Sequence, residues 1–461
     1  MPAIVVSFIY ADNEAGHLFE AFIACFTVGL LFWLPTWKTN ITLRKRDGFL
    51  VVVFFWLVLA FFGSIPFMLS LDETVLNALF ESVSGLTTTG ATVFSNLDTM
   101  PPSILFYRQE LQWFGGIGLV VLAVAVIPHL GIGGMSIYKA EAPGPMKEER
   151  FTPRLMNSSK IIAKIYIGIT LACAVAYWLV GMSAFDAVAH SLSTVSTGGF
   201  STHDSSLGYF HSPAIEMIAT VFMLLGATNF SIHYIVLRKG SISAYFKDVE
   251  VRSFLIIVVT FIVIAALTLL LTNYYTDPVM ILRNTIFEVV SVITSTGFGG
   301  AGDFSRWPLF LPVLFIMISF IGGCGGSTAG GMKVLRVLIL AKLFYREIIK
   351  LIHPKGVFTI KLKFGAVPER TLHSIFGYFS LYAASFIILL LLMMAVGVDQ
   401  VTAFSAIATC MNNLGPGLGD VSTSFSSLND AAKSLSIFSM LLGRLEVVSI
   451  LVLFSPGFWR P

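Results

Sequence analysis

Charged side chains are scarce in this sequence. Asp, Glu, Lys and Arg make up only 12% of its 461 residues, while 56% are hydrophobic. Soluble globular domains carry about 25% charged residues, and so few polar side chains could not cover a water-soluble body of this size. The composition therefore excludes a soluble fold and places the chain in a lipid bilayer. The net charge of +3 is also too small to indicate a nucleic-acid partner.

Cysteine pairs and processing signals are lacking as well. The cysteines lie far apart and mostly inside apolar runs, at Cys25, Cys173, Cys324 and Cys410. That spacing provides neither a disulfide framework nor a metal site, so we interpret all of them as small core residues. The N-terminus has neither the basic region nor the Ala-x-Ala site of a cleavable signal peptide. We expect the first membrane segment to act as the signal.

Long apolar runs dominate what the sequence does contain. A helix needs about 20 residues to cross a bilayer. Runs that meet this requirement cover residues 18–37, 48–70, 104–127, 160–181, 213–237, 252–274, 308–345, 374–397 and 433–456. A further run at residues 1–10 is too short to cross. We therefore expect that the chain is truncated inside its first helix.

The connections between the runs alternate in charge. One set is basic and comprises residues 38–46, 139–160, 238–247 and 333–363. The other set carries acids such as Asp72, Asp186, Asp277 and Asp399. The positive-inside rule predicts that the basic connections face the cytoplasm and the acidic ones face outward.

Each acidic connection also contains a semi-apolar segment of about a dozen residues, which is too short to cross and must dip in and return. The segments end alike, with hydroxyl or amide side chains before a glycine, and the glycines recur about every hundred residues, as in a long internal repeat. The four predicted loops are Thr87, Thr88, Thr89 and Gly90; Val195, Ser196, Thr197 and Gly198; Thr294, Ser295, Thr296 and Gly297; and Asn412, Asn413, Leu414 and Gly415.

These features predict an all-α membrane protein. Four pseudo-symmetric helix–pore-loop–helix repeats would surround one central pore, preceded by an N-terminal transmembrane hairpin. The predicted boundaries are residues 1–45 for the hairpin and 46–135, 136–240, 241–365 and 366–461 for the repeats.

Loops of this composition suit a monovalent cation. A dehydrated cation needs a ring of oxygens, and four chain segments meeting on one axis can supply backbone carbonyls in stacked rings. Glycine allows the backbone conformations that such a loop requires, and the helix before each loop would point its negative dipole end at the pore. The alternative is that Ser/Thr-Gly clusters are surface turns or close helix contacts. Their recurrence behind four short apolar segments favours the filter.

The apolar run at residues 308–345 contains a glycine-rich interruption. Each glycine costs a helix about 1 kcal/mol, and unpaired backbone at that depth is tolerated beside water. We expect a gating loop in the ion path below the filter; close packing of small residues is the alternative. The gating residues would be Gly322, Gly323, Gly325, Gly326, Ser327, Thr328, Gly330 and Gly331.

Arg444 lies inside the last apolar run. A guanidinium facing lipid would cost several kcal/mol, so it must face the interior. Glu446 does not share its helix face, and we expect a partner on another segment. A purely structural ion pair is the alternative.

The sequence resembles the Trk/Ktr/HKT superfamily of potassium transporters over nearly its whole length, and its N-terminal hairpin looks like that of the TrkH-type branch. The matching residues are 85–92, 193–200, 294–299, 322–333 and 410–417. In that family a glycine in all four loops goes with potassium selectivity, whereas a serine in the first goes with sodium conduction. The fourth loop departs from the others in residues 412–414, so the fourfold symmetry of the pore should be only approximate.

The resemblance also implies roles beyond the filter. An intramembrane loop of the third repeat blocks the pore in such proteins, and an arginine matching Arg444 raises the barrier to cations; Lys333 would act more loosely in the same way. Members work as homodimers in the bacterial inner membrane, docked on a cytosolic ring of nucleotide-binding TrkA-type subunits. Nucleotide would act through that partner, and this chain would hold potassium in its filter but no covalently bound cofactor.

Two rival functions were weighed against a potassium pore. A membrane-embedded hydrolase could use His190, His203, Asp204 and His211, but their spacing is not that of a metal site and a nucleophile elbow is missing. The potassium-translocating subunit of an ATP-driven pump shares the four-repeat ancestry, but it is longer and has different filter flanks. An ATP-driven pump would couple flux to hydrolysis, whereas a pore conducts passively.

Overall fold

The computed structural model describes residues 1–37, 47–125, 154–362 and 365–460. Parts of the predicted basic connections at 38–46 and 139–160 lie outside the described residues. The N-terminal region and the first two repeats consist of α1 (Pro2–Tyr10), α2 (Ala15–Thr36), α3 (Asp47–Leu71), α4 (Val75–Leu86), α5 (Pro102–Ala125), α6 (Arg154–Leu179), α7 (Ala184–Val195), α8 (Pro213–Gly226), α9 (Phe230–Lys239) and α10 (Ser243–Lys247).

The second half repeats the same order of long and short helices. It consists of α11 (Val249–Leu271), α12 (Pro278–Ile293), α13 (Leu311–Ser319), α14 (Val334–Ile352), α15 (Glu369–Ala395), α16 (Gln400–Asn412), α17 (Asp430–Arg444), α18 (Val447–Leu451) and α19 (Pro456–Trp459). A short antiparallel hairpin, β1 (Lys361–Leu362) and β2 (Gly365–Ala366), separates the third repeat from the fourth.

Five helices of the described residues, α2, α3, α6, α11 and α15, are long and apolar enough to cross a membrane individually. Two bent pairs, α8 with α9 and α17 with α18, bring the number to seven. Large apolar side chains such as Phe54, Leu171 and Leu271 remain exposed on these helices, as expected for surfaces that face lipid. The all-α membrane fold is confirmed.

Four short helices, α4, α7, α12 and α16, begin at the predicted outer side and end in the centre of the protein; we call them the pore helices. Each begins at a side chain that accepts a hydrogen bond from the first helical turn. These N-capping residues are Thr74, Ser183, Asp277 and Asp399. Capping satisfies N–H groups that have no intrahelical partner, so these polar residues fix where each pore helix starts.

The pore helices close into a ring because each repeat packs on the next. The second helix of the first repeat, α5, packs against α7, and α8 packs against α12 in the same way. Then α13 packs against α16, and α17 of the fourth repeat returns to α4 of the first. The ends of all four pore helices are therefore directed to one central region.

The inner-side halves of three second helices are broken. The predicted interruption of residues 308–345 is confirmed, since α13 ends at Ser319 and α14 begins at Val334. The runs at 213–237 and 433–456, which are long enough to span, are each bent, since α8 and α9 meet at 98° and α17 meets the helical segment Val447–Phe454 at 111°.

Specific polar contacts explain these two bends. The carbonyl of Ala227 accepts a hydrogen bond from the N–H of Cys324 at 2.9 Å, and the N–H of Phe230 donates to the carbonyl of Gly326 at 3.1 Å. The glycine-rich segment thus pairs with the backbone freed between α8 and α9. At the second bend, Glu446 has φ 60° and its carboxylate accepts from Arg336 at 2.8 Å.

Candidate functional site

The four pore helices end in the same backbone turn. One non-glycine residue of each loop is left-handed, with φ between 52° and 54°. These residues are Thr88, Thr197, Ser295 and Asn413. The N–H of the following residue returns to a carbonyl five positions earlier, over 2.9, 2.8, 2.9 and 2.9 Å in repeat order. Left-handed backbone is costly for residues other than glycine, so its recurrence at four non-glycine positions marks a conserved local geometry within the repeat.

In the structure, the second loop is shifted by one residue relative to the predicted match between the four loops. Gly199, with φ 80°, is the counterpart of Gly90 (80°), Gly297 (77°) and Gly415 (93°). Gly198 instead occupies the place of the residue before the glycine, and Val195 is the last residue of α7. The prediction that matched Gly198 with the other three glycines is therefore wrong. The sequence could not decide the match, because Gly198 and Gly199 are adjacent and either one fits the pattern.

The loop glycines lie against carbonyl groups of the neighbouring repeat. A Cβ atom added to any of them would approach a carbonyl oxygen closer than 3.0 Å. In repeat order, the glycine and carbonyl neighbours are Gly90 with Gly198, Gly199 with Thr296, Gly297 with Leu414, and Gly415 with Thr89. This chain of contacts runs from the first loop to the fourth and back to the first. The structure therefore brings all four predicted loops together in a closed ring.

Side chains at the first loop position turn back toward the protein. Thr87 Oγ1 donates to the carbonyl of Val83 at 2.7 Å and lies 2.7 Å from Thr89 Oγ1. Thr294 and Thr296 repeat that arrangement at 2.8 Å. These hydroxyls tie the first and third loops to the ends of their own pore helices.

The fourth loop achieves the same bracing with amides. Asn412 Oδ1 accepts from the Tyr382 hydroxyl at 2.6 Å, and its Nδ2 donates to Ser319 Oγ at 2.8 Å. Asn413 Nδ2 donates to Thr89 Oγ1 at 3.0 Å, which joins the fourth loop to the first. Asparagine is therefore compatible with the shared backbone turn, and the expected approximate symmetry is visible at this loop.

A buried ion pair supports the outer part of the first two loops. Glu81, on α4, accepts from the N–H of Val93 at 3.1 Å and pairs with Arg108 at 2.7 Å, with side-chain exposures of 0% and 1%. Arg108 also donates to the carbonyl of Ser201 at 3.0 Å and lies 4.2 Å from the Phe200 ring centroid. One guanidinium thus connects the chain after the first loop with the chain after the second.

The third loop has a related support. Glu288 is at the position in α12 that Glu81 has in α4, and it accepts from the N–H of Gly300 at 3.2 Å. Glu216, from the second repeat, accepts from the N–H of Ala301 at 3.1 Å and from Arg283 at 2.6 Å. Buried carboxylates therefore hold the backbone that follows two of the four loops.

Sequence reasoning missed the polar face of α5. Gln112 Nε2 donates to the carbonyl of Gly198 at 2.6 Å, and its Oε1 accepts from the N–H of Phe200 at 3.1 Å. Gln109 accepts from Ser193 of α7. Arg108, Gln109 and Gln112 stand inside an apolar run, where polar side chains usually have a function, so this signal was present in the sequence.

The glycine-rich segment between α13 and α14, which we call the intramembrane loop, lies against the inner side of the filter loops. Thr328 Oγ1 donates to the carbonyl of Val195 at 3.1 Å and lies 3.2 Å from Thr197 Oγ1. The N–H of Gly330 donates to Ser295 Oγ at 2.5 Å. The intramembrane loop thereby contacts the loops of the second and third repeats.

Backbone conformation explains why this segment is rich in glycine. Gly322, Gly326 and Gly331 have φ between 69° and 72°, which favours glycine because it lacks a Cβ. A Cβ on Gly330 would also overlap with the carbonyl oxygen of Asn412 in the fourth loop. Gly323, Gly325 and Ser327 lie between these glycines and are buried. The predicted gating residues therefore form one continuous segment packed inside the protein.

Arg444 contacts the intramembrane loop. Its guanidinium is 3% exposed and donates to the carbonyl of Thr328 at 2.9 Å and to that of Gly115 at 3.1 Å. The partners are on other segments, as expected, but they are backbone carbonyls; the described residues contain no ion pair at Arg444. Lys333 is nearby, at the end of the intramembrane loop, and donates to the carbonyl of Ala329.

The outer connections bring a histidine between two acids. His203 Nδ1 lies 2.5 Å from Asp98 Oδ1, and its Nε2 lies 3.5 Å from Asp186 Oδ1. Partial burial lowers the pKa of His203, but the carboxylates of Asp186 and Asp98 outweigh it and the net pKa is raised. The hydrogen bond from His203 lowers the pKa of Asp98. Within the described residues, no three His, Cys, Asp or Glu side chains form a group that could hold a metal ion.

Comparison with known proteins gives consistent matches. The sequence model of the TrkH family, described as a cation transport protein, matches residues 15–460. The Trk system potassium uptake protein TrkH of Vibrio parahaemolyticus is 48% identical over 100% of this chain and 95% of its own length. The TrkH of Escherichia coli K12 is 47% identical over 99% of this chain and 95% of its own length.

The same agreement extends to three dimensions. The crystal structure of the potassium transporter TrkH from Vibrio parahaemolyticus matches with a TM-score of 0.92 and 46% identity. The match covers 100% of this chain and 95% of that chain. The similarity therefore spans the hairpin, all four repeats and the intramembrane loop.

Arg108→Ala should destabilise the protein strongly. The change leaves Glu81 buried without its partner, and removal of one member of a buried ion pair costs about 3–5 kcal/mol. Thermal unfolding in detergent would measure the effect, with Arg306→Ala as a control, because Arg306 pairs with Asp303 on the surface and exposed pairs contribute little. Equal unfolding temperatures for the two variants would contradict this role of Arg108.

Proposed function

This chain belongs to the TrkH family of cation transport proteins, and we propose that it carries out potassium uptake through the four converging loops. It is a multi-pass membrane transporter of potassium and not an enzyme. The proposal is that potassium sheds its water in the ring of loops and passes along the axis that they surround.

The closed ring of glycines and carbonyls carries this proposal. Backbone oxygens from four chain segments can replace the hydration shell of a potassium ion, and the negative ends of the four pore helices favour a cation at the same point. The filter would comprise the predicted residues of the first, third and fourth loops and Ser196, Thr197, Gly198 and Gly199 of the second. Hydroxyl and amide bracing keeps the loops from collapsing when the ion leaves.

We further propose that the intramembrane loop is the gate. It contacts filter residues of the second and third loops directly below the ring, so an ion leaving the filter would meet it. Arg444 places a positive charge against Thr328 of the same loop. That charge repels cations while it keeps the loop in place, and Lys333 adds to the effect.

Regulation would come from the cytoplasmic side. We propose that the protein works as a homodimer in the bacterial inner membrane and docks on a cytosolic TrkA-type ring whose bound nucleotide sets the gate. Support comes from the basic character of the connections predicted to face the cytoplasm and from α14, which starts at Val334 directly after the loop. A partner that moves α14 would therefore act on the gate without touching the filter.

Substitution of the loop glycines tests the filter. Gly90→Ser and Gly199→Ser should lower the potassium to sodium permeability ratio in reversal-potential measurements, because a Cβ there meets a neighbouring carbonyl and the backbone is left-handed. Gly198→Ser should have a smaller effect, since Gly198 is not left-handed and its Cβ meets a side chain, Gln112, instead of a backbone carbonyl. Gly181→Ser is the control, because Gly181 is also left-handed but has open space around it. An unchanged ratio in both Gly90→Ser and Gly199→Ser would refute the filter assignment.

Neutralising Arg444 tests the gate. Arg444→Gln should raise basal potassium flux into liposomes, because it removes both a positive charge from the ion path and a hydrogen bond to Thr328. Deletion of residues 325–328 should raise the flux further. A well-folded Arg444→Gln protein with reduced flux would instead indicate that Arg444 serves only to hold the structure.

A further inference from the structure

One buried carboxylate ties the base of the intramembrane loop. Glu250 is in the first turn of α11 and is 5% exposed. Its Oε1 accepts from the N–H of Gly325 at 2.7 Å and from the N–H of Leu335 at 3.3 Å. Gly325 lies in the first half of the loop, whereas Leu335 lies in the first turn of α14, which follows the loop. A single oxygen atom thus joins the loop and the start of α14 to the neighbouring helix.

Both N–H groups need an acceptor from outside the loop. The first N–H groups of α14 have no intrahelical carbonyl to bond, and Gly325 has no side chain that could help. An unsatisfied N–H at membrane depth is costly, and a carboxylate forms stronger hydrogen bonds than a neutral acceptor. A negative charge at a helix N-terminus is also favourable. As a carboxylate, Glu250 gives the loop charge-assisted hydrogen bonds, whereas the loop's contacts with the second and third loops are between neutral groups.

The first turn of α11 fixes the position of this carboxylate. Asp248 caps the helix, because its Oδ1 accepts from the N–H groups of Glu250 and Val251 at 3.0 Å each. The short helix α10 (Ser243–Lys247) comes immediately before, within a connection predicted to face the cytoplasm. Movement of that connection would consequently shift Glu250 and, with it, the intramembrane loop and the start of α14.

We propose that Glu250 is a positioning residue that holds the intramembrane loop closed, which we call the latch. Displacement of the first turn of α11 from the cytoplasmic side would release the loop and the start of α14 together. This proposal rests on the proposed function of the loop as the gate. It gives the gate a control point on α11 in addition to α14.

A native thiol inside the loop reports its position. Cys324 is fully buried and adjoins Gly325, while Cys173 and Cys410 are fully buried elsewhere in the protein. Pulse labelling with N-ethylmaleimide, followed by peptide mass spectrometry, would measure how fast each of the three thiols becomes accessible. The same preparations, reconstituted in liposomes, would give the potassium flux.

Glu250→Gln and Glu250→Ala should each raise the labelling rate of Cys324 and the potassium flux. An increase of about tenfold is expected, because a hydrogen bond to a charged group contributes at least about one decade to an equilibrium constant. Cys173 and Cys410 should stay slow, and Glu250→Asp should fall between wild type and Glu250→Ala. Asp248→Ala should raise both the Cys324 labelling rate and the flux as well, but less, because it frees the first turn of α11 while the bonds from Glu250 to the loop can still form.

Three outcomes would overturn part of this account. Unchanged Cys324 labelling in Glu250→Ala would refute the latch and leave the proposed gate standing. A parallel rise at Cys173 and Cys410 would show general loosening and would also refute the latch. Faster Cys324 labelling without higher flux would contradict the proposed function of the loop as a gate, although Glu250 would still hold the loop.

Discussion

Backbone groups that leave regular helices inside a membrane must find partners, because lipid offers none. This requirement governs the centre of the protein, where four left-handed turns end the pore helices and lie against one another. Each turn returns its own N–H groups to the preceding pore helix, and buried carboxylates, hydroxyls and amides support the chain on the outer side. The carbonyls that remain between the loops are the groups that an ion can use.

The same requirement links the proposed filter to the proposed gate. The bend between α8 and α9 frees backbone groups, and the intramembrane loop pairs with them through Cys324 and Gly326. The loop in turn receives bonds from Arg444 and gives bonds to Glu250. Opening must break these contacts in a coordinated way, since each one left unpaired would be costly. A gate built from backbone hydrogen bonds can therefore have two well-defined states, and helices that carry its few charged partners are suitable points of control.

Much of this architecture could be predicted from the sequence, because repeats of apolar length, charge alternation and glycine position are local properties. The interruption of residues 308–345 was visible for the same reason. The bends after Gly226 and at Glu446 were not predicted, since they depend on contacts with distant segments. The register of the second loop could not be decided from the sequence either, because Gly198 and Gly199 are adjacent; the left-handed φ of Gly199 and the hydrogen bond from Gly198 to Ser193 distinguish them in the structure. Arg108 and Gln112 were overlooked although their polarity inside an apolar run indicated a role.

We propose that backbone oxygens of the four loops jointly replace the water of a monovalent cation. Anomalous diffraction from crystals soaked in thallium(I), which substitutes for potassium, tests it most directly. The account predicts thallium density on the axis between the four loops, in direct contact with carbonyl oxygens from each of them. Density found only at the outer acidic residues, or none between Gly90, Gly199, Gly297 and Gly415, would contradict it.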